Sequence, residues 1–387
     1  MKVLITTDLF TTATNGVVTS LTNLWEELKA KGHEVKILTF SENHHSHQDG
    51  DVYYIRSMPC EVYPNMRMPL SYRHRLINEL IEWKPDVVHS QCEFFSYQFA
   101  QRIARLTGAP LIHTYHTLYE QYVTYVIPSR RLGIRAVRMM SRNRLKRADR
   151  VIVPSHKAED ALKTYGMKNE VCVVPSGISL EQHRLRLASN ERLEKRRMMG
   201  IADDETVLIN LGRLGTEKNL AEVVQYFAKA AKAMPDVRLM IVGDGPAKEE
   251  LELLSDELGL QSRVIFTGMV PPTEVHEYYQ LADVFVNAST SETQGLTYVE
   301  AAANALPLLC RRDRCLVGVL EEGANGYEYT NEEDYLAALR KIVGDREWRV
   351  RAAKRSEEIA MQFDKKSFAD KVESLYLAVL REERNMK

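Results

Sequence analysis

The chain has 387 residues, of which 44% are hydrophobic and 27% charged, with a formal net charge of -1. This composition excludes a disordered polymer and gives no global attraction to nucleic acid or membrane, so any such partner must be held by a local patch. The length exceeds one typical hydrophobic core and predicts two domains with a cleft between them.

The opening "MKVLITTDLF" lacks the apolar length and small-residue cleavage site of a signal peptide. No run approaches the roughly 18 apolar residues of a spanning helix, and a cytoplasmic protein is expected. Cys60, Cys92, Cys172, Cys310 and Cys315 form no C-x-x-C pair, so they are read as reduced thiols.

In chain order, short β-branched runs alternate with amphipathic helical stretches: "KVLIT", helix 17–31, "EVKILTF", helix 72–83, "PDVVH", helix 95–106 and "APLIHTYH". That alternation predicts a parallel sheet covered by helices, a Rossmann-like first domain over residues 1–183. The polar stretch "LEQHRLRLASNERLEKRRMMGI" is the expected linker. The rhythm restarts with "TVLINLGRL", "VRLMIVGDG", "RVIFTG", "ADVFVNAS" and "ALPLLC", predicting a second Rossmann-like domain over 200–362. Residues 363–387 are expected as a helix crossing back to the first domain. In open parallel sheets ligands lie beyond the carboxyl ends of the strands, so polar strand-end residues are read as cleft lining.

Asn15 and Gly16 follow the first strand, where a glycine lets backbone N–H groups approach a phosphate; the G-x-G-x-x-G spacing is absent, and a plain turn glycine is equally consistent. "NLGRLGTEKNL" places Arg213 and Lys218 between a strand and a helix, where two cations suit a diphosphate or are simply solvated. No P-loop spacing is present. "VGDGP" reads as a structural turn around Gly243 and Gly245. In "APLIHTYHTLYE", His113 reads as a core histidine and His116 as the one reaching substrate. The histidines of "SENHHSHQDGD" read as a polar loop without a metal site. Residues 129–150 mix a single acid with Arg131, Arg135, Arg138, Arg142, Arg144, Lys146 and Arg147 and with scattered apolar residues. Such a basic amphipathic segment lies on an anionic bilayer or is a solvated helix face; without aromatic interleaving, nucleic acid is not expected. "SETQGLTYVE" brackets a glycine with Glu292 and Glu300.

The two Rossmann-like halves, "NGVVTS", "GRLGTEKN" and the E-x7-E spacing of Glu292 and Glu300 together resemble the retaining glycosyltransferases of family 4, over nearly the whole chain. The resemblance implies an α/β GT-B fold, two Rossmann-like domains facing an interdomain cleft. It implies that Glu300 hydrogen-bonds the ribose of a nucleotide-sugar and that Glu292 sits by the donor sugar. Backbone amides of Gln294, Gly295 and Leu296 then contact the sugar hydroxyls, and Arg213 and Lys218 hold the diphosphate. Gly16 allows close approach, and His116 reaches donor or acceptor. Side chains and a helix dipole neutralise the leaving group, so no metal or other cofactor is expected.

Gln294 stands where the commonest family pattern has phenylalanine. That variant, with "HTYHTLYEQYV" and "RRDRCLVGVLEEGANGY", resembles the bacterial diacylglycerol α-glucosyltransferases. The resemblance implies UDP-glucose as donor, diacylglycerol as acceptor and a peripheral position on an anionic membrane surface. A soluble or polysaccharide acceptor, a non-catalytic nucleotide-sugar-binding protein and a sugar-nucleotide epimerase are the competing readings.

Overall fold

The computed structural model describes residues 1–10, 15–43, 45–60, 66–123 and 129–386. The described chain divides into two compact units, Met1–Gly177 with Lys365–Lys387, and Ile178–Asp364. His44, one of the histidines of the polar loop, lies outside the described residues.

Among the described residues, the first unit holds strands β1 (Lys2–Thr6), β2 (Glu34–Ser41), β3 (His47–Asp49), β4 (Val52–Pro59), β5 (Arg67–Pro69), β6 (Val87–Ser90), β7 (Leu111–Thr114), β8 (Arg150–Val153) and β9 (Val171–Val173). They form one sheet in the order β3-β4-β2-β1-β6-β7-β8-β9, with β5 paired to β4. Pairing is parallel except for β3 and β5, which add antiparallel to β4. The β-branched runs are buried on both faces: Leu4 and Val88 join one apolar cluster, Val3 and Ile5 the other. That two-sided burial is what a parallel sheet covered by helices requires. His47, expected in a polar loop, is instead part of the β3 edge strand, its ring stacked on Tyr54 at 4.6 Å.

The second unit holds β10 (Thr206–Leu211), β11 (Val237–Val242), β12 (Val264–Gly268), β13 (Val284–Asn287), β14 (Leu308–Arg311) and β15 (Gly326–Tyr329). They pair in parallel in the order β12-β11-β10-β13-β14-β15. Apolar clusters again cover both faces, one around Val207, Ile209 and Phe285, the other around Leu208, Val284 and Val286. In each unit the strand order reverses once, between β1 and β6 and between β10 and β13. At such a switch point the loops leave in opposite directions and open a crevice beyond the carboxyl ends.

The stretch expected as a linker forms helices Leu180–Arg184 and Ser189–Met198 within the second unit. Its charges hide a docking face: Arg196 is 1% exposed, pairs with Asp283 at 3.2 Å and donates to the Leu281 carbonyl at 3.3 Å. Arg192 reaches Asp283 at 2.9 Å. Composition reads such a segment as solvated because guanidinium burial depends on partners far away in sequence.

Helix Lys365–Met386 belongs to the first unit, where Phe368, Ala369, Val372, Tyr376 and Val379 enter the cluster that also holds Leu21, Leu24 and Leu28 of helix Gly16–Ala30.

Gly243 adopts φ +133°, and a Cβ built there lies 2.0 Å from the Gly212 carbonyl oxygen. The turn therefore serves backbone-to-backbone packing under the Arg213 loop. Gly259, at φ +71°, has open space instead. Gly243→Ala is expected to lower unfolding free energy by on the order of 3 kcal/mol, against about 1 kcal/mol for Gly259→Ala; urea midpoints of the two variants check the difference.

Candidate active site

In the second unit the site grows from the β10/β13 switch point. Parallel pairing sets Leu208 opposite Val284 and Ile209 opposite Phe285. The chain leaving β10 therefore runs beside the chain leaving β13. The first supplies Arg213 and a 3-10 turn, Thr216–Lys218, before helix Leu220–Ala233; the second supplies Glu292 before helix Leu296–Ala303. Lys218 Nζ donates to Glu292 Oε1 at 2.6 Å, and both side chains are largely enclosed. An ammonium has three donors, so this pairing leaves capacity for an incoming anion.

Neither helix has a side-chain cap at its N-terminus, leaving amide donors and the positive dipole end beside the ion pair. Gly295 caps the second helix at φ +75°, and a Cβ there meets the Tyr298 ring at 2.3 Å. Gly295 thus carries a turn that no side chain fits. Gln294 is buried just before it, and Leu296 begins the helix half-buried.

Glu300 lies one turn into that helix and accepts from the Tyr279 hydroxyl at 3.0 Å. Burial pushes the Glu300 carboxyl up, an effect the Tyr279 hydrogen bond opposes. Arg213 pairs with Glu217 and has half of its side chain exposed. The structure therefore gathers Lys218, Glu292 and the Gln294–Leu296 turn around neighbouring strand ends. Tyr279, the partner of Glu300, is a residue that motif reading misses, because it comes from the separate helix Val275–Leu281.

The first unit repeats the pattern at the β1/β6 switch point. Gly16 is exposed at the first turn of its helix, where Asn15 Oδ1 already accepts from the Val18 amide at 2.9 Å. Beyond β1, β6 and β7 lies a buried polar cluster. His113 Nε2 and Glu93 Oε1 are 3.2 Å apart, and the Tyr119 hydroxyl donates to Glu93 Oε2 at 2.5 Å. His116 Nε2 donates to Gln91 Oε1 at 2.7 Å, which leaves the lone pair on Nδ1. Burial, and then the neighbouring His113, push the His116 imidazole down to about 3. It is a neutral hydrogen-bonding group at physiological pH.

His89 is held between the Tyr376 hydroxyl at 2.6 Å and the Thr114 hydroxyl at 2.7 Å. Burial drives its imidazole well down, with His113 and His116 adding to the effect. Asp8 accepts from the Ser96 amide at 2.8 Å through Oδ1, while Oδ2 is buried without a partner among the described residues.

Sequence reasoning finds His116 and treats His113 as core, which its full burial matches. It misses Asp8, Gln91, Glu93 and Tyr119. The rule that polar residues just past a strand line the site reaches Asp8 in "LITTD" and Glu93 in "VVHSQCE". None of them sits in a spaced motif.

Burial, aided by Glu93 and opposed by the Ser96 amide, raises Asp8 from 3.8 to about 6. A folded-state value above the unfolded one means stability is fully present below about 3.8 and falls as pH rises through about 6. Asp8→Asn, which keeps an acceptor for Ser96, is expected to be more stable than the parent at pH 7.5 by up to about 3 kcal/mol. The advantage disappears near pH 3.5. Denaturant unfolding at the two pH values measures it.

Residues 14–182 match the family described as Glycosyltransferase Family 4, and residues 191–359 match Glycosyl transferases group 1. Alpha-monoglucosyldiacylglycerol synthase of Streptococcus pneumoniae is 35% identical over 88% of this chain and 77% of the relative. The protein of the same description from Acholeplasma laidlawii is 32% identical over 98% of each chain. Among solved structures, that of Anabaena Alr3699/HepE in complex with UDP-glucose superposes with a TM-score of 0.77 at 17% identity, covering 98% of this chain and 100% of that one. WaaG, a glycosyltransferase involved in lipopolysaccharide biosynthesis, superposes at 0.72 with 18% identity, covering 97% and 99%. With two Rossmann-like sheets, two switch-point sites and relatives of this identity across its length, the chain belongs to the family 4 glycosyltransferases, hexose-transferring enzymes of GT-B fold.

Proposed function

We propose that the protein moves glucose from UDP-glucose to diacylglycerol at an anionic membrane surface, retaining the α configuration. The observation that carries the lipid assignment is the exposed face of helix Arg130–Leu145. At 100° per residue, Leu132, Ala136 and Met139 make one stripe, and Arg131, Arg135, Arg138 and Arg142 make the next. All seven are exposed, Leu132 by 60% and Met139 by 57%. An apolar stripe edged by cations suits the boundary of an anionic bilayer. Likeness over 88% and 98% of this chain to the two relatives described as alpha-monoglucosyldiacylglycerol synthases supports glucosyl transfer to a lipid. Among the described residues, no helix is long and apolar enough to cross a membrane.

Arg138 is partly committed within the fold: it pairs with Glu120 at 2.6 Å and lies over the Tyr165 ring. Arg131, Arg135 and Arg142 are exposed and make no ion pair among the described residues, while Arg144, Lys146 and Arg147 follow at the helix end.

In this reading the bond from the glucose anomeric carbon to the UDP β-phosphate oxygen breaks, the acceptor hydroxyl oxygen bonds to that carbon on the same face, and the hydroxyl proton passes to the departing diphosphate oxygen. Lys218, the uncapped helix ends and Arg213 stabilise charge on the departing diphosphate. Glu300 accepts from ribose hydroxyls. Glu292 orients Lys218 and the sugar together, with the Gln294–Leu296 backbone at the sugar hydroxyls. His116, kept neutral, hydrogen-bonds donor or acceptor. In this reading side chains and helix ends neutralise the leaving group, so the transfer asks for no metal.

The deciding experiment measures UDP released from UDP-glucose with and without anionic vesicles containing diacylglycerol, then identifies the lipid product and its anomer. A vesicle-dependent α-glucosyl lipid is expected; equal transfer to soluble sugars without lipid removes the lipid assignment. Lys218→Ala is expected to lower kcat by about 100-fold or more, and Glu300→Ala to act mainly by raising KM about tenfold, in steady-state kinetics. Reversing Arg131, Arg135 and Arg142 to Glu is expected to abolish flotation with anionic vesicles; unchanged flotation sends the search to a soluble or polysaccharide acceptor.

A further inference from the structure

A cavity of about 690 Å³ lies in the first unit, away from the strand ends that hold the histidines. Its walls come from the second half of helix Phe95–Thr107, the following turn, the start of β7 at Leu111, and the end of helix Arg130–Leu145 through Asp149. These segments meet at the amino ends of β7 and β8. His113 lies near the opposite, carboxyl end of β7, and His116 follows that end. The cavity is therefore separate from the candidate active site by the length of the strand.

Four guanidinium groups line it: Arg102, Arg105, Arg144 and Arg147. None of the four makes an ion pair with a carboxylate among the described residues, whereas Arg138, Arg150, Arg192, Arg196, Arg238 and Arg311 do. The one acid in the wall, Asp149, is occupied, accepting from the Leu111 amide at 2.7 Å. Arg102 Nε is buried with no hydrogen-bond partner among the described residues. A buried charged donor left unmet is costly, and four like charges around one space repel. The helix Phe95–Thr107 ends here, so its dipole has the wrong sign for an anion and the arginines alone must supply the attraction.

We propose that this cavity is a binding site for a phosphate group, distinct from the donor diphosphate site. Guanidinium is the side chain that best matches phosphate oxygens, offering paired N–H donors in a plane. The volume accommodates more than a bare ion, which allows either free phosphate or the phosphodiester of a lipid headgroup to enter.

The test uses the full chain. Inorganic phosphate is titrated calorimetrically at low ionic strength into the parent protein and into Arg102→Gln/Arg105→Gln, with chloride at matched ionic strength as the blank. Neither substituted residue is part of the donor site or of the exposed membrane stripe. Saturable one-site binding in the parent, weakened at least tenfold in the double variant, is expected. No saturable binding in the parent, or equal binding in both, overturns the proposal. If the double variant fails to fold, Arg105→Glu, at an exposed position, serves instead and is expected to weaken binding by a similar factor. A second arm compares flotation with vesicles of phosphatidylglycerol and of phosphatidylcholine alone. Reduced flotation of the variant on phosphatidylglycerol identifies the lipid phosphodiester as the source; unchanged flotation with lost phosphate binding identifies free phosphate. UDP release without vesicles is expected to stay within twofold of the parent, which separates failure of this site from failure of the glucosyltransfer reading.

Discussion

Parallel pairing across a switch point is the constraint on which the rest of the site depends. Because β10 and β13 run side by side in register, the segments leaving them are neighbours although they are some seventy residues apart in sequence. Lys218 and Glu292 can then meet at 2.6 Å, within a shell of uncapped helix amides. The first unit obeys the same rule. Thr6 lies opposite Ser90, so Asp8 and Cys92, two residues further on each strand end, are brought level, and the Asp8 carboxylate reaches the Ser96 amide.

The two sites differ in how they hold polarity. Around β10 and β13 the charges are compensated pairwise, lysine with glutamate and arginine with glutamate, each beside helix ends whose amide donors have no side-chain cap. Around β1 and β6 the groups are buried, and burial selects neutral forms: His116 and His89 are driven down, Asp8 is driven up. In the function we propose, charge separates at a donor diphosphate and a hydroxyl gives up its proton at the acceptor, and a half with paired charges and a half with neutral hydrogen-bonding groups suit those two demands.

The last helix ties the chain's end to this chemistry. Tyr376 is fully buried and its hydroxyl meets His89 Nδ1 at 2.6 Å, while Phe368 and Val372 pack with Leu24 and Leu28 of the first helix. Salt bridges from Lys31 and His33 to Glu373, and from Lys365 to Glu27, hold the rim of the same interface. Loss of this helix would expose an apolar strip and remove the shortest hydrogen bond of a buried histidine, so the polar cluster and the terminal helix form one packing unit.

Local pattern was enough for the elements. Alternating β-branched runs and amphipathic helices locate β1, β2, β6, β7, β10, β11 and β13 to within a few residues, since each strand's two-sided burial is written as a continuous apolar run. Glu292, Glu300, Arg213 and Lys218 were legible because they sit at strand-to-helix turns with motif spacing. Tertiary structure alone decided that Lys218 takes Glu292 as its partner, that Tyr279 meets Glu300, and that Asp8, Gln91 and Glu93 share one polar cluster with His116. It also turned the supposed linker into two docked helices through the burial of Arg196, and left Arg102 and its neighbours without carboxylate partners among the described residues. The physical reason is the same in each case. Periodicity records which face of an element is buried, whereas a charge's partner is chosen by sheet order and register, which bring together residues that no local window contains.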